Sequence, residues 1–148
     1  MSKTDDFDLQ DFLPYLLNQA AETSSLAFQQ VYKGRYGMLR TEWRVLFHLG
    51  RYGRMTAKEI GQRAKTHKTK ISRAVQKLAE RRFLTRERDE TDRRHEYLEL
   101  TAAGQAVYRD LRAVAAEYDA RLVAQFTPDE AAQLRAMLQR LAGGSGDG

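Results

Sequence analysis

The stretch KTKISRAVQKLAERRFLTRERDETDRRHEYLELTAAG, residues 68–104, changes its hydrophobic period partway along. Its first half carries apolar residues at three- and four-residue spacings, which form one stripe along an α-helix that ends near Arg82. Its second half alternates between apolar and polar residues over 84–88 and again over 96–100, which is the two-residue period of a β-strand. A helix followed by a β-hairpin is therefore predicted, with residues 89–95 as a polar tip. The helical stripe consists of Ile71, Ala74, Val75 and Leu78.

A short capped helix precedes this pair of elements. Thr56 and Glu59 are spaced as a capping box, in which the threonine hydroxyl accepts the Glu59 N–H and the glutamate reaches back to the threonine. A turn near 65–67 then leads into the helix of the opening stretch. Two helices joined by a short turn and followed by a hairpin describe a winged helix-turn-helix, in which the second helix fits the major groove of DNA.

The rest of the chain is predicted to be helical. A first helix covers about 11–33, and a second begins with Thr41 as its N-cap and ends at the glycines of 50–53. Residues 102–142 form two more helices, separated where Thr127 and the proline after it give a helix start. The fold class is thus mostly α-helical with a small β-hairpin wing.

Positive charge is concentrated in one segment. The whole chain carries a formal net charge of +5, whereas residues 65–94 hold eleven basic and five acidic side chains, a net charge of +6. A concentrated positive field attracts phosphate and releases counterions from nucleic acid. A solvated helix face explains such a run equally well when the run is taken alone, so the charge supports nucleic-acid binding only together with the predicted helix and hairpin.

The composition excludes or disfavours several other classes of protein. The chain has no cysteine, which excludes disulfides, thiol catalysis and cysteine zinc sites. Its three histidines are scattered, so no metal site, cofactor or catalytic residue is predicted and we expect no enzyme. No apolar run approaches the roughly 20 residues that span a bilayer, and residues 1–10 are too acidic and polar for a signal peptide. We therefore expect a cytoplasmic protein with no membrane partner.

The predicted helix at 68–82 and the wing offer candidate contacts to DNA. Arg73 can make a bidentate contact with guanine, and lysines beside it can hold phosphates. Asp92 and Arg94 can point to the same side of a strand, so that the carboxylate fixes a guanidinium that the hairpin carries into a minor groove. A solvated surface ion pair of little energetic consequence is the alternative for these two residues. The predicted DNA contacts are Lys68, Thr69, Lys70, Ser72, Arg73, Lys77, Arg88 and Arg94, and Asp92 is the predicted organiser of the wing.

The wing and the helix before it resemble the MarR family of winged helix-turn-helix transcriptional regulators. The likeness extends, more loosely, from about Leu13 to Leu141. One departure is Arg82, because many members have a glycine at this position. A left-handed cap is costly for arginine, so a different turn at the end of the recognition helix is one expectation. The residues that carry the resemblance are Asp92, Arg94, Leu98, Leu100, Thr101 and Gly104.

The resemblance implies one MarR-like domain, residues 1–148, that pairs with a second copy. Helices at 11–33 and 102–142 would dimerise, 41–101 would form the DNA-binding lobe, and 143–148 would be a disordered tail. Apolar stripes on the terminal helices fit this expectation, although packing within one chain would use them equally well. Two-fold symmetry would place recognition helices about 34–36 Å apart, so the expected operator is an inverted repeat.

The resemblance also implies a small effector, often phenolic or an aromatic acid, bound between the dimer helices and the DNA-binding lobe. The opening FLPYLLN, residues 12–18, looks like regulators of aromatic-acid breakdown. An aromatic ring could stack on phenylalanine or tryptophan while arginine or histidine holds its carboxylate; Trp43 and Phe47 are otherwise simply core residues. The candidate ligand-binding residues are Tyr15, Asn18, Ser25, Trp43, Arg44, Phe47 and His48.

Together these observations predict a sequence-specific regulator of transcription, of the repressor type. Two alternatives stay open at this point. An architectural DNA-binding protein would show steep salt dependence and little preference among sequences. A protein-interaction module with a basic face would bind an acidic partner and no DNA at moderate salt.

Overall fold

The computed structural model of the protein describes residues 7–143 as six α-helices and three β-strands. This confirms the predicted architecture, mostly helical with a small antiparallel sheet. The chain divides after Ala113 into two compact units. All but the first residue of the predicted disordered tail lies outside the described residues. The elements are α1 (Leu13–Tyr36), α2 (Arg40–Tyr52), β1 (Met55–Thr56), α3 (Ala57–Ala64), α4 (Lys68–Glu80), β2 (Leu84–Arg88), β3 (Glu96–Leu100), α5 (Ala102–Val123) and α6 (Pro128–Leu141).

The first unit contains the helix-turn-helix, the hairpin and most of the buried core. The predicted stripe of α4 is confirmed, since none of its four side chains is more than 2% exposed. Each large apolar side chain buried here contributes about 1.5–3 kcal/mol of transfer free energy. The fully buried side chains of this core are Tyr32, Met38, Val45, Leu46, Leu49, Ile60, Ile71, Val75, Leu78, Leu98 and Leu111.

Side-chain caps fix both helices of the helix-turn-helix. The capping box of α3 is confirmed, because the Glu59 N–H donates to Thr56 Oγ1 at 3.1 Å and the Thr56 N–H donates to Glu59 Oε1 at 2.8 Å. The helix ends at Lys65 in a left-handed conformation. His67 then caps α4, whose first turn presents the Thr69 N–H to His67 Nδ1 at 3.1 Å.

The first helix runs later than predicted at both ends. A 3₁₀ turn at Leu9–Asp11 precedes α1, which begins at Leu13 with Pro14 in its first turn. It continues three residues beyond the expected end at Lys33. Gly37 stops it with φ +64°, a left-handed cap that glycine adopts without steric cost.

The second helix begins earlier than the sequence predicted. Leu39 is its N-cap instead of Thr41, and the Leu39 N–H donates to the Glu42 carboxylate at 3.3 Å. Gly50 lies inside α2 because α5 packs closely there: a Cβ on this glycine would lie 2.5 Å from the ring of Tyr108. The helix ends at Gly53.

The turn after α4 keeps a left-handed backbone although arginine occupies it. Arg82 has φ +63°. The N–H groups of Arg82 and Phe83 donate to the carbonyls of Ala79 and Leu78 at 2.9 Å each, and the Thr101 hydroxyl donates to the Arg82 carbonyl at 2.7 Å. The turn is therefore not altered by the departure from glycine, because these bonds impose the backbone and the arginine bears the steric cost.

The hairpin strands β2 and β3 coincide with the two predicted segments. They pair antiparallel, with Leu84 opposite Leu100 and Arg88 opposite Glu96. The sequence missed β1, whose two residues pair with β3 and complete a sheet of order β1-β3-β2. A strand this short shows no period of its own, so only its partner strand reveals it.

The second unit holds the end of α5 and the whole of α6. Helix α5 ends at Val123, whereas the sequence predicted a helix that continues to about Phe126, just before the break at Thr127. The capping box of α6 is confirmed, since the Glu130 N–H donates to Thr127 Oγ1 at 3.1 Å and the Thr127 N–H donates to Glu130 Oε1 at 2.9 Å. Arg135 pairs with Asp119 through two contacts of 2.7 and 3.2 Å.

Candidate nucleic-acid interface

The polar face of α4 stands opposite its buried stripe. Every residue of this face is exposed, so the helix presents two hydroxyls and four cations to solvent over its first three turns. No ion pair among the described residues neutralises these cations. A helix that carries donors and cations on one face can enter a major groove and contact bases and phosphates. The polar face of α4 consists of Lys68, Thr69, Lys70, Ser72, Arg73 and Lys77.

The hairpin tip holds Arg94 in one orientation. Its Nε and Nη2 donate to the two carboxylate oxygens of Asp92 at 2.9 Å each, and its backbone N–H donates to Asp92 Oδ1 at 3.1 Å. The sequence predicted this pair on a strand, but it lies in the turn, because the Asp92 carboxylate accepts the backbone N–H of Arg94 two residues on. The Arg94 side chain remains 88% exposed. One edge of the guanidinium is thus fixed while the rest faces solvent.

The electrostatics of the tip agree with this arrangement. Bonds from Arg94, first from its side chain and then from its backbone, hold the pKa of Asp92 below the ordinary value, and the nearby His95 lowers it further. The same carboxylate raises the pKa of Arg94. His95 Nε2 lies 3.4 Å from Asp92 Oδ2. The carboxylate is therefore ionised at neutral pH and organises the tip.

Arg88, the other predicted wing contact, is partly engaged within the hairpin. Its Nη1 donates to the Arg93 carbonyl at 2.6 Å, and its Nη2 lies 4.0 Å from Glu96. Arg86 makes the closer pair with Glu96, at 2.9 and 3.1 Å. Arg88 thus braces the tip on one side, and half of its side chain is exposed on the other.

Lys58 is a cation that sequence reasoning missed. It lies in the first turn of α3 and lines two neighbouring clefts. One cleft, of about 670 Å³, reaches the wing at Arg94 and His95. The other, of about 570 Å³, reaches the polar face of α4 at Lys68 and Ser72. The capping box just before α3 is the sequence signal that could have placed this lysine at an exposed helix start.

Two of the candidate ligand residues on α2, Trp43 and Phe47, belong to an aromatic cluster. Trp43 packs edge-on against Phe28 and Phe47, with ring centroids 5.3 and 5.0 Å apart, and Phe47 packs on Tyr108 at 5.2 Å. Tyr32 adds a contact of 5.6 Å to Trp43. The sequence missed the cluster members on α1 and α5, because only the packing of three helices brings them together.

Polar groups with unusual surroundings border this cluster. Trp43 Nε1 is buried, and no other described residue accepts a hydrogen bond from it. Burial lowers the pKa of Arg44, and the neighbouring Arg40 lowers it further. Nδ1 of His48 lies 2.6 Å from the Arg44 carbonyl, and Ser25 reaches the group through a 3.5 Å contact with Arg40.

The other two candidate ligand residues lie elsewhere in the chain. Tyr15 is half-buried and Asn18 is exposed. They stand about 10–15 Å from Ser25 along α1, as the helical rise dictates. One chain therefore does not bring them to the aromatic cluster.

The described residues hold neither of two features that would point to other functions. No group of three or more His, Cys, Asp or Glu side chains among them could hold a metal ion. No helix among them is long and apolar enough to cross a membrane.

Comparison with known proteins agrees with this geometry. Residues 36–95, which hold the helix-turn-helix and most of the wing, match the model of the MarR family. The homoprotocatechuate degradative operon repressor of Escherichia coli is 25% identical over 131 residues, 88% of each chain. These relatives are regulators of transcription, which agrees with the prediction that the chain is no enzyme.

Solved structures share the fold over nearly the whole chain. A MarR/EmrR family transcriptional regulator from Acinetobacter sp. ADP1 superposes with a TM-score of 0.83 at 25% identity, covering 93% of this chain and 96% of that one. BpsR of Bordetella bronchiseptica, whose DNA binding is regulated by 6-hydroxynicotinic acid, gives a TM-score of 0.81 at 18% identity and covers 92% and 96%. The second likeness shows the fold alone. The chain is thus similar, over residues 36–95 in sequence and over most of its length in fold, to the MarR family of winged helix-turn-helix transcriptional regulators.

Proposed function

We propose that this chain is a homodimeric repressor that binds an inverted-repeat DNA operator and is modulated by a small aromatic acid. The observation that carries DNA reading is the exposed polar face of α4 beside a wing whose Arg94 is held by Asp92. The repressor role is supported by the Escherichia coli relative, which is named as a repressor. We also propose that the protein acts in the cytoplasm, which agrees with a DNA-binding function.

The polar face of α4 reads bases in the major groove. Thr69, Ser72 and Arg73 provide the base contacts, with the arginine guanidinium suited to a bidentate contact with guanine. Lys68, Lys70 and Lys77 bind phosphates and so position the helix. The His67 cap fixes the first turn, where Lys68, Thr69 and Lys70 lie.

The wing inserts Arg94 into the minor groove, and Arg88 contacts the adjacent backbone. A narrow minor groove concentrates negative potential and favours an inserted arginine. Because Asp92 already restrains the guanidinium through two bonds, less side-chain entropy is lost on binding.

Lys58 binds the phosphates between the two grooves. The strand that separates a major from a minor groove must pass between the reading helix and the wing, and Lys58 lines the clefts on both sides of α3. In helix-turn-helix proteins the first helix crosses the backbone at this point. A contact of this kind adds affinity without adding sequence preference.

The dimer is supported by apolar side chains that one chain leaves in solvent. In the first unit Phe7 is 70% exposed and Leu13 58%, while Leu16 is also exposed. In the second unit Met137, Leu138 and Leu141 are exposed along α6. Exposed apolar surface of this kind marks protein interfaces. Sedimentation of the wild type against Leu138→Glu would test this part of the proposal, since only the variant should sediment as a monomer.

The effector site is supported by the aromatic cluster and its polar border. Trp43 offers a buried N–H donor, and Arg44 offers a half-buried cation that an anion would stabilise. A planar acid fits such a pair, with its ring on the aromatic side chains and its carboxylate on the cation. Aromatic-acid chemistry also agrees with the operon of the Escherichia coli relative. Trp43 is the single tryptophan of the chain, so its fluorescence reports ligand directly.

The experiment compares Arg94→Ala and Asp92→Ala with Arg112→Ala, an exposed arginine on α5. The probe is a duplex selected by the wild-type protein from a random library. We expect Arg94→Ala to weaken binding by about 1–3 kcal/mol, Asp92→Ala to lose part of that amount, and the control to match the wild type. A loss below a few tenths of a kcal/mol for Arg94→Ala would remove it from the interface. Failure to select any sequence would favour the architectural alternative, and absence of DNA binding would favour a protein-interaction module.

A further inference from the structure

Tyr36 joins two parts of the first unit through opposite ends of one residue. It is the last residue of α1. Its hydroxyl donates to Asp110 Oδ2 on α5 at 2.5 Å, and its backbone carbonyl accepts a hydrogen bond from the guanidinium of Arg81. Arg81 is the C-cap of α4. A continuous set of bonds thus runs from α5 through the end of α1 to the end of the helix that carries the polar face.

The bond to Asp110 is well defined. Arg35 donates to both carboxylate oxygens of Asp110, at 3.0 and 3.1 Å. The hydrogen bond from Tyr36, followed by that from Arg35, lowers the pKa of Asp110. Burial and then the hydrogen bond to Asp110 raise the pKa of Tyr36. At neutral pH a protonated phenol therefore donates to an ionised carboxylate, which is a strong class of hydrogen bond.

The backbone around Tyr36 gives little freedom to absorb a shift. Gly37 takes the left-handed conformation that ends α1, and Met38 beyond it is fully buried. Since Arg81 bonds to the Tyr36 carbonyl, a rotation of the backbone at the end of α1 moves the end of α4 with it. The aromatic ring of Phe83 lies 4.9 Å from the Arg81 guanidinium and limits its alternatives.

We propose that Tyr36 is a positioning residue for DNA binding, which holds α4 in its reading orientation by tying Arg81 to Asp110. The proposal rests on the proposed DNA-binding function. Tyr36 does not contact DNA in this arrangement, and it acts by keeping the binding-competent orientation populated. Loss of its hydroxyl lowers the population of that orientation, and the apparent affinity falls by the same factor.

The test measures binding of Tyr36→Phe to the selected duplex by fluorescence anisotropy at several salt concentrations. Tyr52→Phe is the matched control, because the Tyr52 hydroxyl forms no hydrogen bond with any other described residue. We expect the Tyr36 variant to bind about threefold to tenfold more weakly, as for a partly exposed bond to a charged group. Its salt dependence stays that of the wild type, since no phosphate contact is lost.

A second substitution separates positioning from a structural role. In an Arg81→Ala background, Tyr36→Phe should have no further effect on affinity, because the link it serves is already broken. Trp43 fluorescence and the thermal midpoint show whether each variant is folded. Should Tyr36→Phe fail to fold, Asp110→Ala removes the same bond from the other side, with Arg35→Ala as the control for the ion pair alone.

Three results would overturn the proposal. They are an affinity equal to that of the Tyr52 control, a reduced salt dependence that indicates direct phosphate contact, and effects of Tyr36 and Arg81 that simply add. If the wild type selects no duplex, the DNA-binding function itself fails, and that outcome is distinct from these three.

Discussion

Replacing Arg82 by glycine should stabilise the protein. Arg82 has φ +63°, where an L-residue costs about 1–2 kcal/mol because its Cβ crowds the backbone. Glycine removes that cost but gains about 0.4–1 kcal/mol of unfolded-state freedom. The net expectation is a stabilisation of about 0.5–1 kcal/mol, which raises the thermal midpoint by about 1–4 °C in a protein of this size.

Arg82→Ala is the matched control, because it removes the same charge and side chain but keeps the Cβ. Thermal unfolding followed by circular dichroism, at one fixed protein concentration, compares the two variants directly. The thermal midpoint of Arg82→Gly should exceed that of Arg82→Ala by the full backbone difference, while the midpoint of Arg82→Ala stays near that of the wild type. Equal midpoints for the two variants would mean that the left-handed turn carries no strain, and a lower midpoint for glycine would refute the reasoning.

Three other expectations follow from the described geometry. Gly104→Ala should destabilise the protein by about 1–3 kcal/mol or more, since the added Cβ would lie 1.9 Å from the Phe83 carbonyl oxygen. Gly34→Ala is the contrast in the same thermal melts: its Cβ would meet no atom within 4 Å, so it should stabilise α1 by up to about 1 kcal/mol. The lowered pKa of Asp110 means that its contribution to the free energy of unfolding is present above its unfolded pKa of about 4 and is lost as the pH falls through the folded pKa. The free energy of unfolding of Asp110→Asn should therefore fall less than that of the wild type when the pH is lowered through this range. Arg73→Ala should cost about 1–3 kcal/mol in operator binding and relax selectivity at one base pair, as binding to a panel of single-base variants would show.

Features that depend on local spacing were predictable from the sequence. The capping boxes at Thr56 and Thr127, the two hairpin strands and the buried stripe of α4 each need only residues a few positions apart. Their side chains and backbone satisfy one another within the segment, so tertiary packing selects the same structure that the segment already favours.

Features that depend on distant partners were not predictable. The start of α2 is a separate case, because leucine has no capping side chain and Glu42, only three residues on, supplies the bond from inside the helix. Arg82 keeps a glycine-like backbone because Thr101, far along the chain, bonds to its carbonyl.

The same limit applies to the candidate site. The exposed polar face of α4 follows from its period, but the orientation of Arg94 comes from a turn that no period describes. The aromatic cluster and the bonds of Tyr36 each need helices from three parts of the chain. The capping box could have placed Lys58 at a helix start, but only the arrangement of the wing and α4 on either side of it shows that this lysine lines two clefts.

The most direct measurement is a titration of the purified protein against its selected duplex and against a scrambled duplex of equal length, at several salt concentrations. A sequence-reading dimer should bind the selected duplex at least about a thousandfold more tightly at moderate salt, and the footprint should be an inverted repeat. Equal affinity for both duplexes, falling steeply together with salt, would contradict sequence reading by α4 and the wing.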